Sequence, residues 1–138
     1  NPNLGQAIVG PMIESGEILR LSREVVRPFY MEKSRFAREC VGRIFADRFA
    51  YHVHRSEGAL FLWLWFPGLP ISSKELYERL KKRGVLIISG HYFFFGLENR
   101  EDWRHQYECL RMTFTMPEQV VVDGIRIIAE EVEKAWNQ

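Results

Sequence analysis

The stretch Cys109-Leu110-Arg111-Met112-Thr113-Phe114 sets the reading of the whole chain. Leu110, Met112 and Phe114 alternate with Cys109, Arg111 and Thr113, and a two-residue period is that of a β-strand. An arginine inside such an apolar run costs free energy unless an anion or water meets it. Two placements satisfy it. Arg111 lies on the outward face of a half-buried strand, or it is aimed at a carboxylate or phosphate that its planar fork can grip with two parallel bonds. Spacing alone favours the outward placement.

Ala59 to Phe66 is almost wholly apolar and aromatic, which predicts a strand covered on both faces. Pro67, Gly68 and Pro70 end it. Ser72 with Glu75 is a capping-box pair, so a helix follows through Leu76, Tyr77 and Leu80 to Arg83, with Gly84 as its stop. Val85 to Ile88 predicts a second buried strand. Ser89 to Gly96 is a loop, yet it carries Tyr92, Phe93, Phe94 and Phe95. Loops are ordinarily polar, so an aromatic one packs on a ligand or a partner. Asn99 to His105 reads as a connector. Pro117 opens a last helix whose apolar stripe is Val121, Ile125, Ile128, Val132 and Trp136.

Toward the N-terminus, Phe49 to His54 alternates as a short strand. Glu17 to Ala46 is the longest helical pattern, with Val26, Phe29, Tyr30, Ala37, Val41, Ile44 and Phe45 on one face and mixed charge on the other. Pro28 interrupts it and predicts a kink or break. Leu4 to Ile13 is a short helix that stops near Gly16. The element order gives an α+β fold, a small, mostly antiparallel sheet covered by helices and preceded by a long Pro-interrupted helix.

The chain has 138 residues, 46% of them hydrophobic, enough for a real core. Nineteen basic against eighteen acidic residues leave a formal charge of +1, which is no footprint for nucleic acid. No apolar run reaches the length of a membrane span. Cys40 and Cys109 read as small buried hydrophobes of a reducing compartment, with a disulfide left open. The opening Asn1-Pro2-Asn3-Leu4-Gly5 has no initiator methionine and reads as a fragment or a processed chain.

His52 and His54 share a face of their strand, but a third ligand for a metal is not evident, and an exposed edge strand explains them. His91, beside Gly90 in the aromatic loop, is either a titrating group or a hydrogen-bonded packing residue. Lys33, Lys74, Lys81, Lys82 and Lys134 lie on charged helical faces, and none has the apolar setting that activates an amine. The common hydrolase, metalloprotease and P-loop patterns are absent.

Three segments together carry a resemblance. Glu57-Gly58-Ala59-Leu60-Phe61-Leu62-Trp63-Leu64-Trp65-Phe66, Gly84 to Phe94 and Leu110-Arg111-Met112-Thr113-Phe114 resemble the C-terminal, small domain of fold-type-I pyridoxal-phosphate aminotransferases. Arg20-Leu21-Ser22 through Arg27-Pro28-Phe29-Tyr30 is similar to the helix that leaves the large domain of that family. The resemblance implies residues 1–16 on the large-domain side, 17–48 as the connecting helix and 49–138 as the small domain. It implies a cytoplasmic homodimer that uses pyridoxal 5'-phosphate to move an amino group between an aliphatic, valine-like amino acid and pyruvate. Arg111 would bind the α-carboxylate of amino-acid and keto-acid substrates, and Tyr92 and His91 would line the side-chain pocket. The family's Schiff-base lysine falls outside this sequence, so the chain alone is expected to be inactive. Ser89 stands where the family is expected to carry proline. The competing expectation is a stand-alone α+β binding module without catalysis.

Overall fold

The computed structural model describes residues 2–97 and 103–138. Part of the Asn99–His105 connector therefore lies outside the described residues. The chain divides into two compact units, one up to Glu32 and one from Lys33 to Gln138.

The first unit is helical. Helix α1 (Pro2–Glu14) ends where Gly16 takes φ 74°, a left-handed conformation that suits glycine. Helix α2 (Glu17–Leu21) follows, and Arg20 bridges Glu17 at 2.6 Å and Glu24 at 3.2 Å. Ser22–Val26 then winds as a π-helix, with the Arg27 N–H donating to the Ser22 carbonyl, and helix α3 (Arg27–Phe45) continues. Pro28 has no N–H to donate, and its ring crowds the carbonyl four residues earlier. The widened turn just ahead of it is the form that the expected interruption takes.

The second unit holds a four-stranded antiparallel sheet in the order β1-β2-β4-β3. Its strands are β1 (His52–Val53), β2 (Phe61–Trp65), β3 (Ile88–Ser89) and β4 (Cys109–Thr113). Trp63 pairs with Arg111, Leu64 with Leu110, Ile88 with Arg111 and Ser89 with Leu110. On one face Leu62, Leu64, Leu110 and Met112 are buried, continued by Phe66 and Phe114 beyond the strand ends. The apolar stripes of α3, of α4 (Ser73–Lys82) and of α5 (Glu118–Trp136) are buried as well, through Val41 and Phe45, Leu76 and Leu80, and Ile125, Ile128 and Val132. Each fully buried leucine, isoleucine or phenylalanine contributes roughly 1.5–3 kcal/mol. Polar ties add direction to this packing. Arg83 at the end of α4 meets Glu130 and Glu131 of α5 at 2.6 and 2.9 Å.

Two strand expectations need correction. Ala59 to Phe66 is not covered on both faces: Leu62 and Leu64 are buried, but Phe61 is 38% exposed and Trp63 and Trp65 are only part-buried. Val85 to Ile88 is not a buried strand either. Pairing is confined to Ile88 and Ser89, and Leu86 is 72% exposed. Apolar composition reports affinity for a covered surface, and here it marks a sheet face that is only part-buried. The aromatic segment is also more ordered than a loop, with a 3₁₀ turn over Gly90–Phe93.

Candidate functional site

The less covered face of the sheet carries Phe61, Trp63 and Trp65 from β2 and Arg111 from β4. Alternation along each strand and the Trp63–Arg111 register put them there. The aromatic segment leans over this face. Phe93 meets Trp63 edge-on at 5.3 Å, Phe94 meets Trp63 at 5.9 Å, and Trp103 meets Phe94 at 5.0 Å. Gly90 lets that segment come close. A Cβ at this position would stand 2.5 Å from the Cys109 Cβ and 2.6 Å from its carbonyl oxygen, so no larger residue fits without moving backbone.

Arg111 lies between two rings, with its guanidinium carbon 4.2 Å from the Phe61 centroid and 4.7 Å from the Phe93 centroid. Aromatic faces attract the cation and hold the planar group while leaving its N–H edge free. Among the described residues no carboxylate pairs with Arg111. It is part-buried, on the half-open face of β4. Of the two sequence placements, the structure shows the outward face, with the guanidinium held between two rings.

His91 and Tyr92 sit on the 3₁₀ turn after β3. Their rings meet at 4.0 Å, and Tyr92 is 57% exposed. The His91 Nδ1 lies 2.7 Å from the Ser89 hydroxyl, which itself donates to the Ser73 hydroxyl at 2.8 Å. Burial and the nearby Lys74 ammonium hold the His91 ring below its ordinary pKa of 6.5. Among the described residues, no hydrogen bond, ion pair or ring contact joins Arg111 to His91 or Tyr92. Phe93 is the side chain next in sequence that reaches Arg111.

Other candidates resolve into packing. His52 of edge strand β1 and His54 just past its end lie against Trp65 and Trp63, with centroids 4.8 and 6.3 Å away. No group of three metal-binding side chains occurs among the described residues. Cys40 and Cys109 are free and buried. Burial pushes the Cys109 thiol up to about 12, which keeps it protonated and unreactive. None of the five lysines makes an apolar amine site: Lys33 donates to the Met116 carbonyl at 3.1 Å, Lys134 pairs with Glu131 at 2.8 Å, and Lys74, Lys81 and Lys82 are exposed. The residues of this chain therefore do not fit the anchoring of a pyridoxal group through a lysine.

Glu108 escapes the sequence reading. It is 7% exposed, and its carboxylate accepts from the Trp65 Nε1–H at 2.9 Å and from the Gly68 N–H at 3.0 Å. It ties the end of β2 and the following turn to the start of β4.

No protein-family model matches the chain. Over 135 residues, 98% of its length, the chain is 41% identical to valine–pyruvate aminotransferase of Escherichia coli strain K12, of which it covers 32%. The crystal structure of valine–pyruvate aminotransferase from Salmonella typhimurium LT2 matches with a TM-score of 0.89 at 41% identity, over 97% of this chain and 34% of that one. By sequence and by fold, the chain matches about a third of an aminotransferase. An α-aminoadipate aminotransferase from Thermus thermophilus, complexed with N-(5'-phosphopyridoxyl)-L-leucine, shares the fold at 23% identity, with a TM-score of 0.75 over 97% of this chain and 32% of that one. The chain thus spans about a third of the length of the aminotransferases it matches. Its match is to their small domain, an α+β unit with a four-stranded antiparallel sheet. Among the described residues, no helix is long and apolar enough to cross a membrane.

Proposed function

We propose that this chain is the substrate-recognising C-terminal part of a pyridoxal-phosphate aminotransferase that moves an amino group between an aliphatic, valine-like amino acid and pyruvate. The observation that carries the reading is Arg111, a part-buried guanidinium clasped by Phe61 and Phe93 on a half-open strand face. A carboxylate is common to the amino-acid donor and the keto-acid acceptor. One bidentate arginine serves both half-reactions, which a transaminase requires. Identity to two valine–pyruvate aminotransferases supports the choice of substrates.

In this reading Tyr92 and His91 line the pocket for the substrate side chain. Residues 1–16 belong with the large domain, 17–48 connect, and 49–138 form the small domain. The helical run around Pro28 is the hinge, since its π-helical turn is where backbone hydrogen bonding is already altered. Pyridoxal 5'-phosphate, when bound, supplies an electron sink for the substrate α-carbon. Its lysine and phosphate contacts lie on parts of the enzyme outside this chain. The complete enzyme is a cytoplasmic homodimer.

The test is direct. The complete protein, loaded with pyridoxal phosphate, is given valine and pyruvate, and alanine is followed over time. Turnover supports the reading. A loaded protein that forms no alanine from any aliphatic amino acid refutes it, and leaves the exposed Tyr92 and Phe95 as parts of a binding surface without catalysis.

A further inference from the structure

We propose that Ser89 is a positioning residue: with Ser73 it fixes the ring tautomer of His91, so that Nε2 is a standing hydrogen-bond acceptor for an N–H group of the bound ligand. The register places Ser89 beside Leu110, on the covered face of the sheet, where α4 brings Ser73. Both serines are buried, at 1% and 0% exposure. A hydroxyl has one proton, and that of Ser89 goes to the Ser73 oxygen at 2.8 Å. The 2.7 Å contact between the Ser89 oxygen and the His91 Nδ1 then requires the proton to sit on the ring nitrogen. A neutral imidazole carries one N–H, so Nε2 keeps its lone pair.

Among the described residues Nε2 has no partner, and no side-chain nitrogen or oxygen there is both buried and unpartnered. Nε2 is therefore not sealed from solvent. The groups around the ring are Lys74 of α4 and Tyr92 of the same turn; burial, and with it the Lys74 charge, favours the neutral ring. Proline at position 89 would have neither the hydroxyl nor this control. Serine here converts a packing histidine into a fixed acceptor. That the N–H belongs to the amino group of an amino acid rests on the aminotransferase reading; the tautomer does not.

The tautomer is read by long-range proton–nitrogen NMR on the complete protein labelled with ¹⁵N at histidine, above the pH at which His91 titrates. The expected result is a protonated Nδ1 and a bare Nε2. In Ser73→Ala the Ser89 proton loses its acceptor and turns to Nδ1, so the ring inverts to Nε2–H. A wild-type ring with Nε2–H overturns the proposal, and so does a Ser73→Ala ring that stays Nδ1–H. These readings involve no substrate or cofactor, so they are unaffected if the aminotransferase reading fails. In the complete enzyme, Ser73→Ala should raise KM for the amino acid about two- to tenfold, the worth of one hydrogen bond, and leave KM for the keto acid unchanged. Equal effects on both substrates would overturn the assignment of the amino group as donor.

Discussion

At the scale of single residues, Glu108 shows how a buried charge becomes structural. Its two oxygens accept from Trp65 and Gly68, and Arg104 stands 3.9 Å away. Glu108→Gln keeps the shape but turns one acceptor into a donor facing an N–H. One buried hydrogen bond is lost and two donors oppose each other, so we expect a loss of about 1–3 kcal/mol. Urea unfolding of the chain measures it, and a midpoint unchanged from wild type would contradict the assignment. The role could not be read from sequence, because the Gly68 partner lies 40 residues away. Arg111 was legible, since an isolated charge in an alternating strand announces itself without knowledge of its neighbours. What the sequence leaves open is which rings hold it. The apolar run around Phe61 suggests a fully covered strand, whereas Phe61 lies against the guanidinium.

At the scale of elements, patterns with a strong period translate into structure and runs without one do not. The α5 stripe and the Ser72 cap, whose hydroxyl accepts from the Glu75 N–H at 3.2 Å, follow from local rules. The Glu75 carboxylate instead pairs with Arg79 at 2.6 Å, which the capping-box pattern does not reveal. Continuous apolar runs such as Ala59–Phe66 and Val85–Ile88 carry no period that says which face is covered, and both suggest more burial than they have. Pro28 was legible as an interruption. Its π-helical form was not, because widening the turn depends on how nearby carbonyls avoid the ring. If Pro28 sustains that turn, Pro28→Ala restores an N–H able to bond four residues back, and residues 22–28 should tighten toward regular α-helix. Amide exchange should then slow across 22–28, with a gain in stability on the order of 1 kcal/mol. Exchange at the wild-type rate would show that the π turn has another cause.

At the scale of the whole molecule, the perturbed histidines and carboxylates act in one direction below neutral pH. His91 and His105 both lie below the ordinary 6.5, each chiefly through burial. Folding favours their neutral rings, so this stabilisation is complete above pH 6.5 and declines as the pH falls below it. Burial raises the Glu131 carboxyl, but hydrogen bonds from Lys134 and Arg83 outweigh it and hold the group below the ordinary 4.5; Arg48 lowers Glu133. Their contribution is present above about pH 4.5 and is lost below. Unfolding midpoints should therefore fall in two stages, from about pH 7 to 5 and again below about 4.5. A midpoint that rises between about pH 7 and 5 would contradict this. The same scale holds the central claim, that Arg111 is the carboxylate anchor of an aminotransferase. Removing one partner of a buried charge pair costs about 2–5 kcal/mol, on the order of thirty- to several-thousand-fold in kcat/KM. Arg111→Lys keeps the charge but loses the two-pronged grip, and so should recover only part of the loss. The deciding measurement is kcat/KM for valine and for pyruvate in the complete enzyme and its Arg111→Lys and Arg111→Ala variants, with cofactor absorbance showing each to be loaded. The account predicts that Arg111→Ala loses at least about thirtyfold for both substrates, with Arg111→Lys between it and wild type; an Arg111→Ala enzyme within a few-fold of wild type for both would contradict it.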